Sequence, residues 1–115
     1  MPVSRNYLEY ILEQLGALVE VRQRRMFGAV GLYSGDLFFA LINNDTLYFK
    51  VDDSNRAAYT DRGMPAFCPK TGRGIVSMNY FEVPADIIED AGELIAWARW
   101  SVAVAARSGR AGNSK

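Results

Sequence analysis

Apolar residues recur every three to four positions at the start of the chain: Tyr7, Leu8, Ile11, Leu12 and Leu15, with Leu18 just beyond. This spacing lines one face of a helix over residues 5–16. Ser4 is placed to cap that helix and Gly16 to stop it. The period then shortens. Leu18 to Gln23 alternates and predicts a strand, and Met26 to Tyr33 predicts a second one containing Gly28, Ala29 and Gly31. Leu37 to Ile42 is an apolar run of strand length, and Leu47 to Val51 is the returning strand. Ser34-Gly35-Asp36 and Asn43-Asn44-Asp45-Thr46 are turn sequences, so the strands form an antiparallel meander.

Asp52 or Asp53 is positioned to cap a short helix over 55–62, which Gly63 ends. Residues 64–74 hold two prolines and read as a loop, with room for a short strand at Ala66 to Cys68. Ile75 to Val83 is a further strand, closed by Pro84. Residues 86–107 are helical, broken near Ala91-Gly92. Strands grouped together with helices at the ends indicate an α+β fold. The expected architecture is a two-layer antiparallel sheet of about five strands with an N-terminal, a short middle and a long C-terminal helix. The domain is expected over residues 1–107, followed by a disordered tail over 108–115, where apolar content is low.

The last helix has a wide apolar arc. At 100° per residue, Leu94, Ile95, Ala98, Val102 and Ala105 share one stripe, and Trp97, Trp100 and Val104 an adjacent one, together about 220°. Either the tryptophans reach the core edge and lie on the sheet, or they meet a partner, since Trp is enriched at interface hot spots. Trp97, Trp100 and Val104 are therefore the candidate partner interface, including that of a homodimer. The strand Leu37 to Ile42 is apolar at both parities, with Phe38, Ala40 and Ile42 opposing Leu37, Phe39 and Leu41. Such a strand is a central one covered on both sides, or is covered by a dimer mate on one side.

Composition narrows the chemistry. The 115 residues include no histidine and one cysteine. A Ser-His-Asp triad, a Cys-His dyad and a histidine metal site are excluded within one chain, and so is an intrachain disulfide. Thirteen basic residues balance thirteen acidic ones. Residues 52–98 carry four basic and eight acidic residues, whereas 99–115 carry Arg99, Arg107, Arg110 and Lys115 and no acid. Without an overall basic excess, strong independent grip on a duplex is disfavoured. No window approaches a membrane span and no signal peptide is evident. With a single thiol, a cytoplasmic protein without membrane contact is expected.

Several local patterns remain. Arg22, Arg24 and Arg25 form the densest basic cluster, suited to an anion, phosphate or partner contact, or else to a solvated sheet edge. On a strand, Arg22 and Arg24 share one face and Arg25 the other. Gly28 and Gly31 lack the context of a nucleotide loop, and a large aromatic from a packed helix is expected to fill the gap they leave. Lys70, Thr71 and Arg73 in PKTGRG do not match a phosphate loop and read as a hairpin loop. Cys68 has no histidine base and reads as a small apolar residue. Asp86, Glu89, Asp90 and Glu93 surround a helix N-terminus, where acids favour the macrodipole. No catalytic residue, metal site or cofactor is expected.

The run from Arg24 to Tyr33, RRMFGAVGLY, resembles the R-R-M-F-G-G-x-G-L-Y signature of the TfoX/Sxy N-terminal domain. FFALI, LYFKVD, Asn55-Arg56, YFEVP and a helix with Glu93-Leu94 and Trp97-Ala98-Arg99 follow at the spacing of that family. The resemblance covers residues 5–105, with Ala29 standing where a second glycine is common. It implies an antiparallel sheet flanked by helices, similar to secretion-chaperone-like domains. It also implies a non-enzymatic regulator: full-length members control natural competence together with the cyclic-AMP receptor protein and carry a further C-terminal domain. This chain is expected to be a stand-alone N-terminal domain. The expected function is regulation by protein–protein contact, with transcription machinery as a partner. The alternative is direct nucleic-acid binding through Arg22, Arg24 and the basic tail.

Overall fold

The computed structural model describes residues 4–16, 21–26, 28–68 and 77–113. The elements in chain order are α1 (Arg5–Gln14), β1 (Val21–Met26), β2 (Ala29–Ser34), β3 (Leu37–Asn43) and β4 (Thr46–Lys50), then α2 (Arg56–Thr60), β5 (Ala66–Phe67), β6 (Ser77–Glu82), α3 (Ala85–Ile88) and α4 (Ala91–Asn113). The fold is α+β. Among the described residues its sheet has six strands, in line with the expected antiparallel sheet of about five, in the order β1-β2-β3-β4-β6-β5, and every neighbouring pair is antiparallel.

The turns form where the sequence permits left-handed backbone. Asn44 and Asp45 both have positive φ, 54° and 52°, which is the type I′ geometry that matches strand twist. Gly35 at φ 60° closes the β2–β3 hairpin. Gly28 at φ 80° lies in the β1–β2 turn, not inside a strand. Met26 accordingly ends β1 instead of beginning β2, and Gly28 is explained by backbone conformation rather than by a packed aromatic. Gly63 at φ 72° follows the short helix α2, as expected.

Helix α1 begins where the Ser4 hydroxyl accepts the Tyr7 N–H at 3.2 Å. The Ser4 N–H donates to the Asp45 carboxylate at 2.8 Å, tying the helix start to the β3–β4 turn. The expected aspartate cap of α2 differs in detail. Asn55 precedes the helix and makes no side-chain cap bond, while Asp52 accepts from the Ser54 N–H and hydroxyl. The expected break near Ala91-Gly92 falls slightly earlier, at Glu89-Asp90. There the Asp90 carboxylate accepts the Glu93 N–H at 3.1 Å, the capping role expected of that acidic run. Helix α4 continues to Asn113, through the first part of the segment expected to be a disordered tail.

The four described helices pack on one face of the sheet. In register, Val30 pairs with Ile42, Leu32 with Ala40, Ile42 with Leu47, and Ala40 with Phe49, which pairs with Phe81. These residues, with Phe39, meet Leu8 and Ile11 of α1 and its C-cap Leu15, Tyr59 of α2, Ile87 of α3 and Leu94, Ala98 and Ala105 of α4 in one core. Fully burying a side chain such as Phe49 contributes about 1.5–3 kcal/mol. A bulge at Phe39 adjusts the alternation. Leu32 pairs with Ala40 but Tyr33 pairs with Phe38, so Phe39 is the extra residue. Phe39 joins Ala40 and Ile42 on the helix side, and Phe38 joins Leu41 on the other. This corrects the expected parity of β3.

The buried Asn55 fixes the crossing from β4 to the helices. Its side chain accepts from the Asp52 N–H at 2.9 Å and donates to the Lys50 carbonyl at 3.2 Å. The buried Ser101 hydroxyl donates to that same carbonyl at 2.8 Å, joining α4 to the end of β4.

Candidate functional site

The pleat sends alternate residues away from the helices, and on this outer face the register assembles two rows. One row runs Arg22, Tyr33 and Phe38 from β1 to β3, then Lys50 and Tyr80 on β4 and β6. Tyr33 stacks on Phe38 with centroids 5.0 Å apart and planes at 27°, and Phe38 meets Tyr80 at 5.7 Å. The Lys50 ammonium lies 5.0 Å from the Tyr80 ring centroid and 3.5 Å from its hydroxyl. Alongside runs the second row: Arg24, Gly31, Leu41, Tyr48 and Glu82. Phe67 meets Tyr48 edge-on at 4.9 Å.

The aromatic rings of these rows are half-buried, and none belongs to the core beneath the helices. Burial pushes the Tyr80 phenol up to about 12, with Tyr33 adding to the shift. Burial also lowers the Lys50 ammonium below its ordinary value. The Tyr48 phenol is raised, by burial first and by Glu82 second.

Arg22 and Arg24 share this face and are exposed, as the strand period predicts; Arg25 pairs with Val30 and belongs to the opposite side. Among the described residues, none of the three forms an ion pair. A cleft of about 270 Å³ lies at this end of the sheet, lined by Arg22, Gln23, Arg24, Tyr33, Gly35 and Asp36. Gly31 is buried and lies in register between Arg24 and Leu41.

The three residues of the candidate interface differ in exposure. Val104 is fully buried. Trp97 is half-buried, edge-on to Tyr59 at 4.8 Å, with the Arg62 guanidinium 5.5 Å over its ring. Trp100 is 41% exposed. It sits on a stripe of α4 with Glu93, Ala96, Ala103 and Arg107, all exposed. The helical wheel places Trp97, Trp100 and Val104 together, but Trp97 packs against Tyr59, Val104 is buried and Trp100 is exposed.

The remaining candidates are separate. Cys68 is exposed, not tucked away as a small apolar residue. Lys70, Thr71 and Arg73 lie outside the described residues. Asp86 pairs with Arg62 at 2.8 Å, and Asp52 with Arg107 at 3.1 Å. A second cleft of about 260 Å³ separates α1 from the β4–β6 end and holds Tyr7, Tyr10, Asp45, Glu82 and Glu89. Among the described residues, no group of three or more acids or cysteines is placed to hold a metal ion, and no helix is long and apolar enough to cross a membrane.

The chain is thus a small α+β domain with one sheet face sealed by helices and the other built of aromatic and cationic side chains. Its sequence matches the TfoX N-terminal domain over residues 13–105, which is most of the chain. It belongs to that family. No curated protein matches it.

Proposed function

We propose that this chain is a non-enzymatic regulatory domain of the cytoplasm that acts by docking onto a protein partner, in the setting of transcription control. Membership of the TfoX N-terminal domain family supports the regulatory reading. The observation that carries the docking reading is Trp100, which stands 41% exposed in the middle of a long helix whose neighbouring Trp97 and Val104 are packed. An exposed Trp on a rigid helix suits an interface hot spot, because its large surface is desolvated at little entropic cost.

The stripe is suited to a protein surface. Small Ala96 and Ala103 flank the indole, with an acid at one end and a base at the other. A second copy is one such partner. Two stripes laid antiparallel about Trp100 bring each Glu93 toward the other chain's Arg107, since both lie seven positions from the indole.

The test is capture of partners on the tagged chain, with nuclease added, beside light scattering of the purified protein. Under this reading a defined protein, or a second copy, is retained after nuclease treatment and lost with Trp100→Ala. Retention unchanged in that variant ends the reading.

A further inference from the structure

We propose that the outer face of the sheet is a platform for single-stranded nucleic acid, with Tyr33, Phe38 and Tyr80 as stacking surfaces and Arg22, Arg24 and Lys50 as phosphate contacts. This surface is distinct from the Trp100 stripe, and the proposal does not rest on the protein-docking reading.

Three observations carry it. The first is the order of side chains across the sheet: cation, aromatic, aromatic, cation, aromatic, from Arg22 to Tyr80. Sequence-tolerant single-strand sites combine these two elements, rings that receive base faces and cations that follow the backbone. The second is charge placement. The chain as a whole is neutral, yet this face gathers Arg22, Arg24 and Lys50 against Glu82 and, at the β2–β3 turn, Asp36. Arg22 and Arg24 are exposed and have no carboxylate partner among the described residues, and their planar guanidinium groups match phosphate oxygens. The third is the isolation of the rings from the core. Tyr33, Phe38 and Tyr80 pack against each other rather than beneath a helix, and the described helices all lie on the opposite face.

The geometry favours a single strand over a duplex. A duplex hides its base faces, and this surface is a sheet face rather than a helix or a two-stranded ribbon shaped to enter a major groove. Unstacked bases present the flat surfaces that the ring row accepts.

The test is fluorescence anisotropy of the full chain with labelled oligo-dT and oligo-U, beside a duplex control, across a salt series. Binding to either single strand that weakens with salt supports the proposal, and the tighter of the two identifies the kind of strand. The double variant Arg22→Ala/Arg24→Ala, at exposed positions of an edge strand, lowers the salt slope by about 1.4, because two phosphate contacts are lost. Tyr33→Leu/Phe38→Leu weakens binding by roughly tenfold with little change in slope. Trp100→Ala leaves binding intact, which separates this surface from the docking stripe. The proposal is overturned by no binding of either strand at low salt, by equal affinity for the duplex, or by affinity indifferent to the arginine pair. A dimer in light scattering that Phe38→Asp dissociates also overturns it, in favour of a second copy on this face.

Discussion

Trp97 meets Tyr59 edge-on, with ring centroids 4.8 Å apart. The contact locks the long helix to the short one, and Tyr59 continues the chain of rings to Phe81 at 6.0 Å. Among the described residues the buried Tyr59 hydroxyl closes no well-formed hydrogen bond, although the Ser101 hydroxyl acts weakly on it. A buried hydroxyl without a partner destabilises, whereas the ring contributes by packing. Tyr59→Phe is therefore expected to be neutral or stabilising by up to about 1 kcal/mol. Tyr59→Ala is expected to lose about 3–5 kcal/mol, as large aromatic truncations do. Urea unfolding followed by tryptophan fluorescence measures both, and a Phe variant as damaged as the Ala variant would show that the hydroxyl is bonded after all.

Trp100 and Val104 are four residues apart on α4 but have opposite environments. Val104→Ala removes two buried methyl groups and is expected to cost about 1–3 kcal/mol. Trp100→Ala is expected to stay within about 0.5 kcal/mol of the parent. The same two variants are expected to reverse order in partner capture. Denaturant midpoints measured beside capture decide it, and a strongly destabilised Trp100→Ala would mean that the indole serves the fold.

Asn55 is the buried polar residue whose loss should be felt most. Its amide serves the Asp52 N–H and the Lys50 carbonyl at once. Asn55→Ala strands that N–H and weakens the carbonyl's pairing, for an expected loss of about 1–3 kcal/mol. Asn55→Asp keeps the acceptor but brings a carboxylate toward a carbonyl oxygen, so it is expected to be no better at neutral pH. Equilibrium unfolding of both variants tests this, and an unperturbed Asn55→Ala would assign the crossing to Ser101 alone.

The meander was legible because its turns need special backbone, and Gly35, Asn44 and Asp45 advertise it. The shared face of Arg22 and Arg24 was also legible, since it requires only the period of a strand. The bulge at Phe39 was not. Leu37 to Ile42 is apolar at both parities, so an inserted residue leaves no gap in the pattern. The outer row was hidden for a related reason: Arg22, Tyr33, Phe38, Lys50 and Tyr80 come from five strands, and only register brings them together. The helical wheel grouped Trp97, Trp100 and Val104 correctly but carries no information on which edge of a wide apolar arc faces the sheet.

Two carboxylates contribute to the acid limb of stability. Arg62 donates to both oxygens of Asp86, at 2.8 and 3.1 Å, and holds that acid below its ordinary value of 3.8. Asp52 is lowered chiefly by the Ser54 hydroxyl, with Arg107 assisting. A depressed native value means that these contacts contribute fully above the unfolded value, near pH 4, and are lost as pH falls through the native one. Asp86 is exposed and Asp52 partly so, so the effect is small and screened by salt. Asp52→Asn/Asp86→Asn is expected to flatten the loss of stability below pH 4 at low salt. Thermal midpoints across pH measure it, and a slope equal to the parent's would assign the acid limb to other groups.

Tyr7 sets an alkaline limb. It lies in the cleft with Asp45 and Glu82, and its phenol is pushed up to about 12. Burial is the main cause; Asp45, Glu82 and Tyr10 add to it, and a backbone hydrogen bond with Leu47 opposes it. The folded state therefore holds the neutral phenol more tightly than the unfolded chain, whose tyrosine titrates near 10. The associated stability is complete below pH 10 and is lost as pH rises toward 12. Tyr7→Phe cannot ionise, so its stability is expected to fall less steeply than the parent's across that interval. Urea midpoints from pH 9 to 11.5, beside an absorbance titration of phenolate, test both parts (pH values chosen to bracket about 10). A parent titration complete near pH 10 would show that the cleft does not shield Tyr7.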